Sequence, residues 1–211
     1  MHFDLFLTKI HQIAQITLGG KSSHQKMAPL ERLELIDSID FSTINPKKAA
    51  VLMLFYPKNN QTHLALIIRN SFGIHSSQIA FPGGKFEPDD VDFEATAIRE
   101  THEEIGIPPN QIEVIRPFTE VYIPPSNFLV YPFLGITKNE ITFVLQEDEV
   151  AGIVEMPLKL LLNEAHVVPQ KITTSYGQFV DVPSFNINNR LVWGATAMML
   201  SELKDALKSV F

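Results

Sequence analysis

The chain has no cysteine among its 211 residues. Disulfides, thiolate metal sites and a cysteine nucleophile are therefore excluded, and any metal must take oxygen donors or histidine. Cations are also scarce: 17 Lys and Arg stand against 24 Asp and Glu, a formal net charge of -7. Broad binding to nucleic acid needs many cations to displace counterions from phosphates, so no nucleic-acid partner is expected. Long apolar runs are missing too. Stretches such as residues 49–56 fall far short of the ~20 residues of a membrane-spanning helix, so no membrane partner is expected. The N-terminus, Met1-His2-Phe3-Asp4-Leu5-Phe6, lacks the basic start, continuous apolar stretch and small-residue cleavage site of a secretory signal. A cytoplasmic protein is expected.

What is present is enough for a full core. With 45% hydrophobic residues, the length suits one domain with an appendage. Phe3, Phe6, Leu7, Ile10, Ile13 and Ala14 recur at helical spacing, so residues 3–17 read as an amphipathic helix ended by Gly19-Gly20. Residues 21–31 read as a connecting segment. From Ala49 the texture changes to short apolar runs at 49–56, 63–69, 112–121, 128–136, 141–145 and 150–154, which read as strands. Pro57-Lys58-Asn59-Asn60 should turn a hairpin, and residues 167–173 should pair with 178–182 across Ser175-Tyr176-Gly177. Helices are expected at residues 93–105, briefly after Pro157, and at 189–210, where Val192, Ala195, Met199, Leu203, Ala206 and Val210 mark one face. This order fits an α+β sandwich, a mixed sheet between helices with an added N-terminal helix. Residues 1–45 are read as the helix and connector packed on a main domain of residues 46–211. The helix's apolar face raises the possibility of a homodimer, against simple packing within the chain.

The chemistry is concentrated in Phe81-Pro82-Gly83-Gly84-Lys85-Phe86-Glu87-Pro88-Asp89-Asp90 and, eight residues on, Arg99-Glu100-Thr101-His102-Glu103-Glu104-Ile105-Gly106-Ile107. At 3.6 residues per turn, Glu100, Glu103 and Glu104 project from one side of a helix, while Ala97, Ile98, Thr101 and Ile105 offer another side to the sheet. Three carboxylates within one turn repel one another and call for a cation. Hard divalent ions prefer oxygen ligands and can bridge carboxylates and substrate phosphates, so Mg2+ or Mn2+ is expected on Glu100, Glu103 and Glu104. Gly83 could bring a backbone carbonyl close to that metal. A carboxylate not fully committed to metal can take a proton from the attacking water, with Glu103 the first candidate base and Glu100 the second. Gly106 is placed to end the helix in the left-handed conformation. The competing reading, a solvated salt-bridged helix face, would suit a lone E-x-x-E-E. It leaves Gly83-Gly84, Arg99 and Gly106 without a reason for their offsets.

These residues resemble the Nudix box, G-x5-E-x7-R-E-U-x-E-E-x-G-U, where U is bulky and apolar. Asp90 stands at the acidic position six residues after Gly84, one extra residue precedes Arg99, and Thr101 replaces an apolar residue. The resemblance implies a Nudix-like α/β/α fold for residues 46–211 and a diphosphatase acting on a nucleotide derivative. It also implies metal ligands or a base at Glu100, Glu103 and Glu104, and an Arg99 that orients the glutamates by ion pairing. The extra residue also resembles the coenzyme A pyrophosphatase branch, as do His75, Gln78-Ile79-Ala80-Phe81-Pro82-Gly83-Gly84, Tyr122-Ile123-Pro124-Pro125-Ser126-Asn127-Phe128, Asp148-Glu149-Val150 with Met156-Pro157-Leu158, and Trp193-Gly194-Ala195-Thr196-Ala197. Coenzyme A or an acyl derivative is then the implied substrate, with 3',5'-ADP and 4'-phosphopantetheine as products. The sequence departs from that branch at Gly73, where its pattern has arginine, and at Ser77, where it has glycine. Residues 66–69 also lack its threonines.

Further candidates are weighed against plainer roles. Lys85, beside the glycines, and Arg69 are candidate substrate-phosphate contacts, although each also suits an ordinary surface cation. Glu149 is a candidate extra ligand or base from a distant loop, although Glu147-Asp148-Glu149 also suits an acidic turn. His102 is expected to face solvent and His75 to be structural. Core packing is the default for Tyr122, Phe128 and Tyr131, and anchoring of the last helix for Trp193. Other Nudix substrates (ADP-ribose, dinucleoside polyphosphates, oxidised nucleotides) and a non-catalytic nucleotide sensor are the alternatives.

Overall fold

A computed structural model of the chain describes residues 1–70, 78–174 and 177–211. The chain opens with α1 (Phe3–Ile10), which tightens into a 3-10 turn, His11–Gln15, instead of running on to residue 17. Phe3, Phe6, Ile10 and Ile13 are all buried, and Phe6 stacks on Phe211 at 5.4 Å. The apolar stripe expected to raise the chance of a homodimer is thus covered by its own chain. The expected connector is helical as well, holding α2 (Lys21–Gln25) and leading into α3 (Leu30–Ser38). Neither has a strong apolar period. The region is fixed by polar contacts from distant sequence, with the Gly20 N–H donating to Glu202 at 2.7 Å and Lys26 pairing with Asp205 at 2.7 Å.

β1 (Lys47–Lys58) and β2 (Gln61–Arg69) form the expected hairpin. Its turn residues Asn59 and Asn60 both sit at positive φ, 47° and 62°, the mirror-image turn that matches strand twist. Only residues 55–58 and 61–64 pair directly. Beyond them the strands part, and β3 (Ile79–Ala80) on β2 and β4 (Gly83–Lys85) on β1 fill the gap. The glycine loop is thereby wedged into the sheet.

After α4 (Phe93–Ile105), the run at 112–121 is split into β5 (Glu113–Pro117) and β6 (Val121–Ile123). Between them Thr119 leaves the sheet to donate from both its N–H and its hydroxyl to Glu202. β7 (Phe128–Ile136) runs parallel to β1 and pairs antiparallel with β5 and β6, while β8 (Val150–Pro157) lines β2, so the sheet is mixed. Residues 141–145 are not a strand. Ile141, Phe143 and Leu145 pack instead against the cluster under α4, an alternation of side chains that a sheet edge would also require.

The short helix after Pro157 is α5 (Leu158–Leu162). β9 (Val167–Thr174), β10 (Gly177–Ile187) and β11 (Arg190–Val192) form a separate small antiparallel sheet, with Ser175 and Tyr176 of the expected turn outside the described residues. α6 (Gly194–Lys208) closes the chain, starting five residues into the range read as helix because Arg190–Val192 are given over to β11. One face of the main sheet packs under α4 through Ala50, Leu52, Leu54 and Phe133 with Ala97 and Ile105. The other packs under α1 and α6 through Met53 and Phe55 with Phe6, Leu200 and Leu203.

Candidate active site

Helix α4 is defined at both ends by its own sequence. Asp92 caps it, its carboxylate accepting the Ala95 N–H at 2.8 Å. Gly106 ends it at φ 75°, its N–H returning to the His102 carbonyl at 2.9 Å. Thr101, where an apolar residue is usual, is fully buried and satisfies its hydroxyl on the Ala97 carbonyl at 2.7 Å.

The three glutamates leave this helix on the expected side but reach different places. Glu104 is 2% exposed and accepts the Gly83 N–H at 2.8 Å, so the contact between Gly83 and the acidic helix is made by its amide. Glu100 lies against Gly84, where an added Cβ would come within 2.3–2.4 Å of its carboxyl atoms. Glu103 points outward, its side chain 55% exposed, and Arg99 holds it at 2.9 Å. Among the described residues, no three acidic or histidine side chains are already drawn around one point.

Arg99 organises the outer part of this arrangement. It grips Asp90 with two bonds, Nε to Oδ1 at 2.8 Å and Nη2 to Oδ2 at 3.0 Å. Its Nη1 reaches Glu100 at 3.1 Å, and Nη2 also donates to the Lys85 carbonyl at 3.1 Å. One guanidinium thus ties α4 to the loop that carries the glycines. Asp90 is 5% exposed at its side chain and is further held by the Thr96 hydroxyl at 2.8 Å. The hydrogen bonds from Arg99 keep its carboxyl well below the usual carboxylate range. Asp90 was legible as a motif position, but its part as the anchor of Arg99 was not; an acidic residue nine before an arginine, across a helix start, was the available signal.

Electrostatics tie Glu149 to the same cluster. Burial is the main cause pushing Glu104 up to about 7, with the Gly83 N–H and Arg69 opposing it and Glu100 and Glu149 adding to it. Glu100 is raised in the same way, chiefly by burial against the pull of Arg99, with Glu103 and Glu149 adding. The loop before β8 delivers Glu149. Val144 and Gln146 donate to the last carbonyls of α4, on Ile105 at 3.1 Å and Glu104 at 3.0 Å. Asn70, at the end of β2, donates its N–H to the Glu149 carbonyl and its side-chain amide to the Glu147 carbonyl, both at 2.7 Å. The acidic turn is thus stapled between the catalytic-type helix and β2.

The other candidates are spread around this centre. Arg69 is exposed at the end of β2, with Glu104 within its electrostatic reach. Lys85 is exposed on β4. His102 is exposed, and His75, Gly73 and Ser77 lie outside the described residues. Tyr131 stacks on Phe93 at 4.0 Å, Tyr122 meets Phe41 edge-on, and Phe128 is half-buried. Trp193 precedes α6 as its N-cap residue.

The donor set fits a hard divalent cation. It offers oxygen only, burial and neighbouring carboxylates raise both Glu100 and Glu104, and Gly84 leaves the space beside Glu100 that any side chain would fill.

Comparison with known proteins agrees with this layout. The NUDIX domain family model matches residues 46–176. The uncharacterised Nudix hydrolase NudL of Escherichia fergusonii is 33% identical over 180 residues, covering 82% of this chain and 90% of NudL. NudL of Enterobacter sp. matches equally, at 33% over the same length. Among solved structures, the Nudix hydrolase RenU of M. smegmatis aligns with a TM-score of 0.54 at 16% identity, covering 79% of this chain and 88% of RenU. The MutT protein of Methanosarcina mazei Go1 aligns at 0.51 and 14% identity, covering 77% of this chain and 94% of that protein. No helix among the described residues is long and apolar enough to cross a membrane. With the family model covering more than half of its length and 33% identity to NudL over 82% of it, the chain belongs to the Nudix family and is a hydrolase of nucleotide diphosphate derivatives.

Proposed function

We propose that the protein hydrolyses coenzyme A or acyl-coenzyme A at its diphosphate, releasing 3',5'-ADP and the (acyl-)4'-phosphopantetheine. The observation that carries the reading is the acidic helix with one extra residue before Arg99, accompanied by the segments at residues 78–84, 122–128 and 193–197 that resemble the coenzyme A branch. In this reading residues 46–211 are the hydrolase domain and residues 1–45 an appendage packed on it.

Glu100, Glu103 and Glu104, with the Gly83 carbonyl, hold Mg2+ or Mn2+, and Glu149 supplements them. The bound ion supplies charge neutralisation of the diphosphate and of the departing phosphate. Glu103 is the general base, because it is the exposed member of the set and Arg99 engages one of its two oxygens, whereas Glu104 is sealed against the Gly83 N–H. Oxygen of water bonds to one phosphorus, the bridging P–O bond breaks, and the water proton passes to the Glu103 carboxylate. Arg99, anchored by Asp90, orients Glu100 and Glu103. Lys85 and Arg69 are the cations available to the substrate phosphates.

The test is hydrolysis of coenzyme A, ADP-ribose and diadenosine polyphosphates with Mg2+ or Mn2+, separating products by mass, with Glu103→Gln as control. Release of 3',5'-ADP from coenzyme A, lost in the control, is expected. Preference for ADP-ribose or a dinucleoside polyphosphate overturns the substrate, and tight nucleotide binding without turnover overturns the catalytic reading in favour of a sensor.

A further inference from the structure

Strand β8 does not meet β2 in an even register. Met156, Val154 and Gly152 lie opposite Leu64, Leu66 and Ile68, but the next pair is Val150 with Arg69, so Ala151 is an extra residue, a β-bulge. The bulge changes the face that the strand serves. Val154 and Met156 pack on the α1 and α6 side of the sheet, and strict alternation would send Val150 there with them. Val150 is instead buried in the cluster under α4. Ala65 and Ile67 of β2 belong to that same cluster, so the alternation of β2 aims Arg69 to the α4 side as well. One inserted residue thus turns the chain entering β8 towards the acidic helix.

Hydrogen bonds from two directions fix the turn that the bulge has aimed. On the α4 side, the Gln146 N–H donates to the Glu104 carbonyl at 3.0 Å, and the Gln146 carbonyl accepts the N–H groups of Glu149 at 2.9 Å and Val150 at 2.8 Å. On the β2 side, the Asn70 N–H donates to the Glu149 carbonyl and its Nδ2 to the Glu147 carbonyl, both at 2.7 Å. The first of these bonds asks only for a backbone N–H at position 70. The second asks for a short side chain that donates, which an amide provides and an ionised aspartate of the same shape does not. Glu149 is exposed, so its place is set by the backbone that carries it. From that place its charge is felt at both Glu100 and Glu104.

We propose that Asn70 is a positioning residue of the active site: its side-chain amide holds the turn that the Ala151 bulge aims at α4, and so holds the Glu149 carboxylate where it joins Glu100 and Glu104 around the divalent cation. The inference rests on the metal-dependent reading above and is independent of which nucleotide derivative is cleaved. Asn70 acts through Glu149 and not on the reacting atoms. That separates it from an amide that merely finishes β2, because its effect on the metal must vanish when Glu149 no longer carries a carboxylate.

The test is a double-mutant cycle on Mn2+ affinity, read by electron paramagnetic resonance without substrate. Asn70→Ala should weaken Mn2+ binding about tenfold, as expected of a group that orients a metal ligand, and should have no further effect once Glu149→Gln is in place. Glu147→Gln keeps the carbonyl that Asn70 binds and should leave the affinity as it was. In the metal-free protein, amide exchange at Glu149 and Val150 should quicken in Asn70→Ala while the amides of α4 stay protected, which also shows that the variant is folded. Equal losses in both backgrounds, no loss in Asn70→Ala, or exchange at Glu149 that ignores the substitution overturns the proposal, as does an affinity indifferent to Glu149→Gln. Glu100→Gln separates this proposal from the reading beneath it. If that variant also leaves Mn2+ bound, the metal reading falls and the proposal with it; if it abolishes binding while Asn70→Ala changes nothing, the proposal alone falls.

Discussion

Glu104 offers the sharpest physical test, because its burial and its charge oppose each other. Its carboxyl is 2% exposed, receives one backbone N–H from Gly83, and is pushed up to about 7 from the ordinary 4.5. A folded-state value above the unfolded one means that the group favours folding only while protonated. Its contribution is complete below about 4.5, declines as pH rises through the interval to about 7, and is gone above it. At about 1.4 kcal/mol per pH unit, the cost of ionising it in the fold at pH 8 is about 3 kcal/mol. Glu104→Gln keeps an acceptor for the Gly83 N–H and removes the charge. In the presence of a chelator the variant should therefore be more stable than the wild type by up to about 3 kcal/mol at pH 8, with the gap closing towards pH 4.5. Urea unfolding followed through Trp193, the single tryptophan, measures both proteins at both pH values. Millimolar Mg2+ or Mn2+ should then reverse the order at pH 8, by stabilising the wild type alone. A variant less stable than the wild type at pH 8 without metal, or a gap that does not depend on pH, refutes the argument.

Other perturbations divide fold from chemistry. Gly83→Ala should cost more than about 3 kcal/mol in urea unfolding, since φ is 147° and the new Cβ would sit 2.3 Å from the Ala50 carbonyl oxygen. Gly84→Ala meets first the carboxyl end of Glu100, a flexible side chain and not backbone, so stability should change by less than about 1 kcal/mol while kcat falls on the order of 100-fold through displacement of that carboxylate. Arg99→Lys cannot reproduce the two-bond grip on Asp90 and should weaken Mn2+ binding, read by electron paramagnetic resonance, by about 10- to 100-fold, and Asp90→Asn should do the same. Glu103→Gln should lower kcat by roughly 10²- to 10⁴-fold with little change in KM, and equal kcat in variant and wild type would remove Glu103 as the base.

Legibility in the sequence followed the range of the forces involved. Helix α4 is bounded by local signals, an aspartate cap and a left-handed glycine, and its limits at Phe93 and Ile105 are those expected. The Asn-Asn turn and β7 are likewise governed by neighbours in sequence. Elements held by distant partners were misread. α2, residues 21–25, lies between Gly20 and Lys26, which find Glu202 and Asp205 some 180 residues away, a pairing that no local period announces. Residues 141–145 have the alternation of a strand, but the neighbouring N–H groups of Val144 and Gln146 are consumed by the end of α4. That misreading bears directly on the site. Glu149 is exposed in its turn, but a segment bonded to both α4 and Asn70 holds it within electrostatic reach of Glu100 and Glu104. The acidic helix can be read from spacing alone because its groups share one helix. The fourth carboxylate cannot, since a chain of backbone hydrogen bonds from Glu104 through Gln146 and Glu149 to Asn70 holds it in reach of them.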